Sequence, residues 1–359
     1  MSQTAKIRVL VVDDSALMRQ VLVEILSGDD AIEVVGTASD PFVAREKILR
    51  LKPDVLTLDV EMPRMDGLSF LEKLMRAHPM PVLMISSLTE KDCDTTVRAL
   101  ELGAIDYLTK PKLDVQSGTM QQAEEIVRKV KMAAQARVQR RHAAAAQAAG
   151  GNRTVSSTIP RSNSLSFRKT HQVIAVGAST GGTEALVHFL TALPADAPGI
   201  AIVQHMPAGF TRSFAGRLDS LCKVRVREAQ DGDCVLAGHV LLAPGNFHME
   251  LRRSGAETVA RVFTSDPVNH VRPSVDVLFH SCAQELGANA LGVILTGMGS
   301  DGARGLLEMR QAGSHTLAQD EASCVVFGMP KEAIALGGAE QITSLDNMAN
   351  AVLRLLHQQ

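Results

Sequence analysis

A serine set among glycines is the first residue in this chain whose type and surroundings could do chemistry. In Val176-Gly177-Ala178-Ser179-Thr180-Gly181-Gly182, the apolar run Val173 to Val176 leads into a sharp turn and then into a helical segment, Thr183 to Leu190. Glycines beside a serine admit backbone conformations closed to other residues, and a helix beginning there aims its free N–H groups at the exposed hydroxyl. That arrangement presents a nucleophile. The run also approximates the dinucleotide fingerprint G-x-G-x-x-G, with Gly177 and Gly182 in place. Ser179, however, stands where a glycine must let the backbone approach a pyrophosphate. The next apolar strand, Gly199 to Val203, ends in Gln204-His205 without the acid that would hold a ribose. A glycine-rich turn without chemistry is the remaining alternative, so the serine needs partners.

Partners follow other apolar runs. Gly199 to Val203 leads to His205, and Ala290 to Leu295 leads to Thr296-Gly297-Met298-Gly299-Ser300-Asp301. Short continuous apolar runs are the pattern of buried parallel strands, whose C-terminal ends share one crevice in an open α/β sheet. Ser179 as nucleophile, His205 as base and Asp301 as the acid that orients the imidazole would form a triad there, since order along the chain is free. His248, His270 and His315 are rival bases, and Asp276 and Asp320 rival acids. Asp301 could instead cap the helix expected over Ala303 to Gln311.

The N-terminal half carries a different chemistry, built from acids. Ile7 to Val12 ends in Asp13-Asp14, and Asp54 to Leu58 ends in Asp59. Three carboxylates at neighbouring strand ends make a hard oxygen site suited to Mg²⁺. Pro81 to Ile85 leads to Ser86, and Ile105 to Thr109 leads to Lys110-Pro111. A hydroxyl and an ammonium at the same crevice would stabilise a phosphoryl group on Asp59. The alternative is that these are ordinary turn acids and a surface lysine.

This constellation, followed by Met62-Pro63-Arg64-Met65-Asp66-Gly67, resembles the receiver fold of two-component response regulators. The C-terminal half resembles the chemotaxis protein-glutamate methylesterases, in which such a receiver precedes a serine esterase. That likeness is carried by Gly177 to Gly182, Gln204-His205-Met206, Leu242-Ala243-Pro244-Gly245, Arg272 to Asp276, Leu295 to Gly302 and Ala318 to Pro330. The resemblance implies hydrolysis of glutamate methyl esters on methyl-accepting chemotaxis receptors, with glutamine deamidation as a second activity. It puts nucleophile, base and orienting acid on Ser179, His205 and Asp301, an oxyanion donor on the Met298 N–H, and a group that helps orient the histidine on Thr180. In the receiver it makes Asp59 the phosphoacceptor, gives the metal to Asp13, Asp14, Asp59 and the Glu61 carbonyl, and assigns Ser86 and Lys110 to the phosphoryl group and Tyr107 to the aromatic switch. The phosphodonor would be a chemotaxis histidine kinase, and the unphosphorylated receiver would cover the esterase cleft. Asp320 departs from the family pattern, which has Asn there.

The elements that must position these residues alternate. Helices are expected near Ala16 to Leu26, Phe42 to Leu51, Leu68 to Ala77, Lys91 to Leu102 and from Gln121 onward, each after a strand, with Val34 to Ala38 as the second strand. The fold class is therefore α/β: an N-terminal (βα)₅ receiver, and a C-terminal doubly wound parallel α/β hydrolase domain with an antiparallel edge, the last from the close-spaced runs Val235 to Ala243, Met249 to Arg252 and Thr258 to Phe263. Domain limits are set at 1–128 for the receiver, 129–168 for a linker and 169–359 for the catalytic domain.

Charge separates these parts. Arg128 to Lys169 holds ten Lys or Arg and no Asp or Glu, so the remainder has 37 − 10 = 27 basic against 39 acidic residues. Net-acidic folded domains without a basic helix-turn-helix argue against a receiver fused to a transcription factor, one of the competing classes. A catalytically silent protein-binding module is the other competing class, and it has no need of the three triad residues together. Five scattered cysteines without a C-x-x-C pair read as reduced thiols. No apolar run reaches the roughly 18 residues of a membrane span, so no direct membrane insertion and a cytoplasmic location are expected. Ester hydrolysis itself is expected to need no cofactor.

Overall fold

The computed structural model describes residues 5–62, 65–86, 90–111, 118–136 and 172–357. The first half alternates Ile7–Val12 (β1), Ala16–Ser27 (α1), Ile32–Ala38 (β2), Pro41–Leu51 (α2), Val55–Asp59 (β3), Gly67–Ala77 (α3), Val82–Ser86 (β4), Glu90–Glu101 (α4), Asp106–Thr109 (β5) and Gly118–Ala133 (α5). Helix starts are written locally: the side chains of Ser15, Asp40 and Asp66 accept from the first free N–H groups of α1, α2 and α3. The strands are parallel in the order β2-β1-β3-β4-β5. Side chains alternate across them, so Val9 and Val11 pack with Leu22, Leu26 and Val130 of α1 and α5, while Leu10 and Val12 pack with Ala44, Ile48 and Leu71 of α2 and α3. Strand order reverses between β1 and β3, and the crevice at that switch point receives Asp13, Asp14 and Asp59.

The second half runs Val173–Ala178 (β6), Gly182–Thr191 (α6), Gly199–Gln204 (β7), Phe210–Leu221 (α7), Arg225–Glu228 (β8), His239–Leu242 (β9), His248–Ser254 (β10), Glu257–Phe263 (β11), Val275–Glu285 (α8), Ala290–Ile294 (β12), Ala303–Gln311 (α9), His315–Gln319 (β13), Met329–Ala335 (α10), Gln341–Thr343 (β14) and Leu345–His357 (α11). Seven parallel strands lie in the order β14-β13-β12-β6-β7-β9-β8. One face packs on α6, α7 and α11 through Leu186, Phe189, Phe214 and Val352, the other on α8 and α9 through Leu278, Phe279, Leu306 and Met309. Of the three runs expected to supply an antiparallel edge, Val235 to Ala243 instead contains parallel β9, and the other two form the hairpin β10–β11, its own two-stranded sheet beside the parallel one. Here too the order reverses at the first strand, β6, which is flanked by β7 and β12.

Helix α5 runs past residue 128 to Ala133, into the segment expected as linker. The rest of that segment, from residue 137, lies outside the described residues, as do Pro63 and Arg64. None of the five cysteines forms a disulfide. Burial pushes Cys282 and Cys324 up to about 12 and Cys222 to about 11, which keeps these thiols protonated and unreactive at neutral pH.

Candidate functional site

In the receiver, ligand atoms of Asp13, Asp14 and Asp59 lie within 4.8 Å of one another. Asp13 and Asp59 are buried. The Lys110 ammonium sits 2.9 Å from Asp59 and 3.7 Å from Asp13, so one cation faces two buried anions. Burial pushes both carboxyls upward, Asp59 to about 6, and their mutual repulsion adds to that of Asp59. Asp13 Oδ2 is buried with no hydrogen-bond partner. An acidic pocket with excess negative charge and an unmatched oxygen fits a divalent cation, with the Glu61 carbonyl on the adjoining loop. Ser86, also buried, ends β4 beside Lys110, whose backbone N–H donates to the Ser86 carbonyl at 2.9 Å.

In the second domain the three triad candidates meet. Ala178 and Gln204 are register partners on β6 and β7, and the His205 N–H donates to the Ala178 carbonyl at 3.2 Å. On the other side, the Ser179 N–H donates to the Thr296 carbonyl at 3.0 Å. Ser179, half-buried, thus sits between the loop bearing His205 and the loop leading to Asp301. Its turn is closed by Gly181, at φ 74°, with the Gly182 N–H and Gln204 Nε2 both donating to the Ser179 carbonyl. Gly297 lets the next loop press against it: a Cβ there would lie 2.8 Å from the Ser179 Cβ and 2.3 Å from the Met329 sulfur.

His205 Nε2 and Asp301 Oδ2 are 2.8 Å apart. Asp301 does not cap α9, whose N-cap position is Gly302; its carboxylate lies instead at the N-terminus of α8. There Oδ2 accepts from the Val275 N–H at 2.6 Å, and Oδ1 from Ser274 Oγ at 2.6 Å and Asn269 Nδ2 at 2.7 Å. Burial alone would push this carboxyl up, but His205, Ser274 and Asn269 outweigh it and hold it below the usual range. Ionised Asp301 can fix the imidazole orientation, leaving Nδ1 as the nitrogen for proton exchange. Among the described residues neither Nδ1 nor Ser179 Oγ is hydrogen-bonded.

The Met298 N–H also lacks a partner among the described residues. Its loop is held by the Thr296 hydroxyl, which donates to the Thr180 carbonyl and accepts from Val326, and by Gly328 and Met329, which donate to the Gly297 carbonyl. The rival residues have other tasks. His248 is buried with Nδ1 accepting from Ser274, His315 pairs with Glu340, and exposed His270 stands in a turn. Asp320 accepts from the Ser323 N–H and hydroxyl, closing the loop after β13. Arg272 holds the Ser265 carbonyl, which is a structural use.

The α4–β5–α5 face of the receiver lies on this site. Tyr107, buried, stacks on Phe210 with ring centroids 4.6 Å apart, joining the apolar cores of both domains. Arg217 pairs with Glu101, and the Arg128 guanidinium reaches the Met298 sulfur. Thr180, expected to help orient the histidine, instead donates its hydroxyl to Asp106 Oδ2 at 2.7 Å. Reasoning from sequence singled out neither Asp106 nor Asn269. Asp106 reads as the first residue of a strand, and Asn269 lies between elements; no local spacing marks either one.

The CheB methylesterase family profile matches residues 174–352, and the response regulator receiver domain profile matches residues 9–117. Protein-glutamate methylesterase/protein-glutamine glutaminase 1 of Geobacter metallireducens is 56% identical over 356 residues, covering 99% of this chain and 98% of that protein. The protein-glutamate methylesterase/protein-glutamine glutaminase of Bordetella bronchiseptica is 58% identical over 352 residues, with 98% and 97% covered. The crystal structure of the Thermotoga maritima CheB methylesterase catalytic domain matches with a TM-score of 0.50 at 39% identity, covering 51% of this chain and 98% of that one.

Proposed function

The chain belongs to the receiver-linked CheB methylesterase family, whose relatives are protein-glutamate methylesterases/protein-glutamine glutaminases, and from that premise we propose that Ser179 hydrolyses glutamate methyl esters of chemoreceptors. The observation that carries the reading is the 2.8 Å His205–Asp301 pair on the loops flanking Ser179. His205 Nδ1 takes the hydroxyl proton as Ser179 Oγ attacks the ester carbonyl, and Asp301 stabilises the imidazolium. The Met298 N–H faces the oxyanion. His205 then returns the proton to the departing methoxide, so methanol leaves an acyl-serine; water repeats the attack and restores the serine and a glutamate carboxylate. Deamidation of glutamine follows the same path with ammonia leaving. We assign this step no cofactor: all its proton transfers are handled by Ser179, His205 and water.

The receiver regulates the esterase through phosphorylation, as its family implies. We assign the phosphoryl group to Asp59, with Ser86 and Lys110 on its oxygens, take a chemotaxis histidine kinase and methyl-accepting receptors as partners, and place the enzyme itself in the cytoplasm. Asp13, Asp14, Asp59 and the Glu61 carbonyl would hold Mg²⁺, which supplies charge neutralisation for the incoming phosphoryl oxygens. Among the described residues, no helix is long and apolar enough to cross a membrane.

The docked arrangement is the restrained form of the enzyme. Asp106 keeps the Thr180 hydroxyl away from His205, and Arg128 crowds the Met298 loop. Drawing Lys110 toward a phosphoryl group on Asp59 would shift β5 and Tyr107, loosening the Phe210 contact that anchors the helix after the His205 loop. Methanol release from a methylated receptor, with and without a phosphodonor, tests both parts. Activity unchanged by phosphodonor would remove the regulatory part, and absence of methanol release would remove the catalytic one.

A further inference from the structure

Besides His205, one donor to Asp301 comes from outside the frame that holds the others. Ser274, Val275 and Asp276 reach the carboxylate as the first residues of α8, and they arrive together with that helix. Asn269 reaches it from a surface turn. Val268 and Val271 exchange both backbone hydrogen bonds, at 3.0 and 3.1 Å, around Asn269 and His270, which have φ of 52° and 64°. Two successive left-handed residues form the type I′ turn that favours Asn and Gly, and His270 adopts it against its own preference. Backbone strain of this kind persists where the surroundings demand it.

The amide sits where two acids meet. Its Nδ2 lies 2.7 Å from Asp301 Oδ1 and 2.7 Å from Asp276 Oδ2, so each of its two hydrogens goes to a different carboxylate. Asp276 is tied in turn to the Gly305 N–H of α9 at 2.8 Å. Burial and the neighbouring Asp301 push the Asp276 carboxyl upward, a sign that the two acids repel.

We propose that Asn269 is a positioning residue for the reaction: its amide separates Asp301 from Asp276 and keeps Asp301 ionised and turned to His205. The inference rests on the triad reading above. Without the amide, the two carboxylates relieve their repulsion by rotation or proton uptake, and the imidazole loses the partner that sets its tautomer. Asn269 itself touches neither the serine nor the proposed oxyanion position.

The experiment uses the full chain activated by an acyl phosphate, with methanol release from a methylated chemoreceptor as readout. Asn269→Gly removes the amide while fitting the left-handed turn, so the chain should still fold and melt cooperatively, its melting temperature lowered only by the lost hydrogen bonds. Its kcat should drop about tenfold, the scale of a lost hydrogen bond to a charged group, with KM within about twofold. Asn269→Asp, which places a third carboxylate among the acids, should lose more. In an Asp301→Ala background the further loss from Asn269→Gly should shrink to under about twofold, because the group it acts through is gone. Wild-type kcat in Asn269→Gly, or losses that multiply fully in the double variant, would overturn the proposal while leaving the triad in place. Wild-type turnover in Asp301→Ala would overturn the triad reading and this proposal with it.

Discussion

The chain holds two crevices built alike and charged differently. Each lies at the C-terminal ends of parallel strands, where strand order reverses beside the first strand of its sheet. In the receiver, buried Asp13 and Asp59 share one lysine, one oxygen is unmatched, and both carboxyls are pushed up. In the catalytic domain, Asp301 is as deeply buried, yet it accepts from a histidine, a serine, an asparagine and a helix N-terminus, and it is held down. Burial is the same force in both. What differs is the supply of donors. An under-supplied carboxylate retains attraction for an ion and for a phosphoryl group; a fully supplied one has only its geometry to offer, which suits an orienting acid.

The largest effect should come from removing the groups that Asp301 serves. Ser179→Ala or His205→Ala should cut methanol release by about three orders of magnitude or more without unfolding the chain, since each is one part of a unit. Wild-type-like release from folded Ser179→Ala would take the nucleophile away from this crevice. Next in size is the coupling between crevices. The fragment beginning near Lys169 should exceed the unphosphorylated full chain by about tenfold, and Asp59→Asn should keep basal activity while losing activation by phosphodonor. Equal rates for fragment and full chain would dissolve the covering relation, and phosphorylation driving the full chain beyond its fragment would make the receiver a positive element.

Chelation sharpens the contrast in ion demand. Removing Mg²⁺ should block phosphorylation of Asp59 and leave basal hydrolysis unchanged, as followed by phosphoprotein mobility and methanol release in one sample. Loss of basal turnover would mean that the second crevice also depends on a metal. A smaller effect is expected from the contact joining them. Asp106→Ala frees the Thr180 hydroxyl and should raise turnover of the unphosphorylated full chain about twofold toward that of the fragment, a modest share of the coupling. Turnover unchanged in that variant would leave the restraint to the other contacts of this face, Tyr107–Phe210, Arg217–Glu101 and Arg128–Met298.

Acid titration should give the smallest signal, and opposite signs for the two kinds of carboxylate. Asp301, held low, contributes stability that is complete above about pH 4 and lost as pH falls through its folded value. Asp276, pushed up, does the reverse: its contribution declines as pH rises from the unfolded value toward the folded one. Melting curves of Asp301→Asn should therefore show a shallower loss of stability in acid than the wild type, and those of Asp276→Asn a steeper one.

How much of this was legible from sequence follows from the range of each interaction. Apolar runs ending in Asp13-Asp14, Asp59, Ser86, Lys110, Ser179 and His205 marked strand ends because burial of a parallel strand is written in consecutive residues. Helix starts at Ser15, Asp40 and Asp66 are equally local. A short spacing also exposed the hairpin β10–β11, although its separation from the parallel sheet was not visible. Strand order was beyond such reading. That β6 lies between β7 and β12, bringing His205 to Asp301 across 96 positions, is decided by which edges pair and which faces pack.

The chain alone thus determined the two chemistries, carboxylates with a lysine and a hydroxyl with an imidazole, because residue type and strand-end position are local properties. Tertiary structure decided how each charged group is supplied. Asp301 was expected either as a triad acid or as the cap of the helix that follows it, and it sits at the N-terminus of a helix that precedes it in the chain. Thr180 was assigned to the histidine by resemblance, and docking of the receiver gives its hydroxyl to Asp106. Asn269 carried no signal until the turn and two acids came together around its amide. Hydrogen bonds are satisfied in space, and distant segments become neighbours only when the sheets have formed.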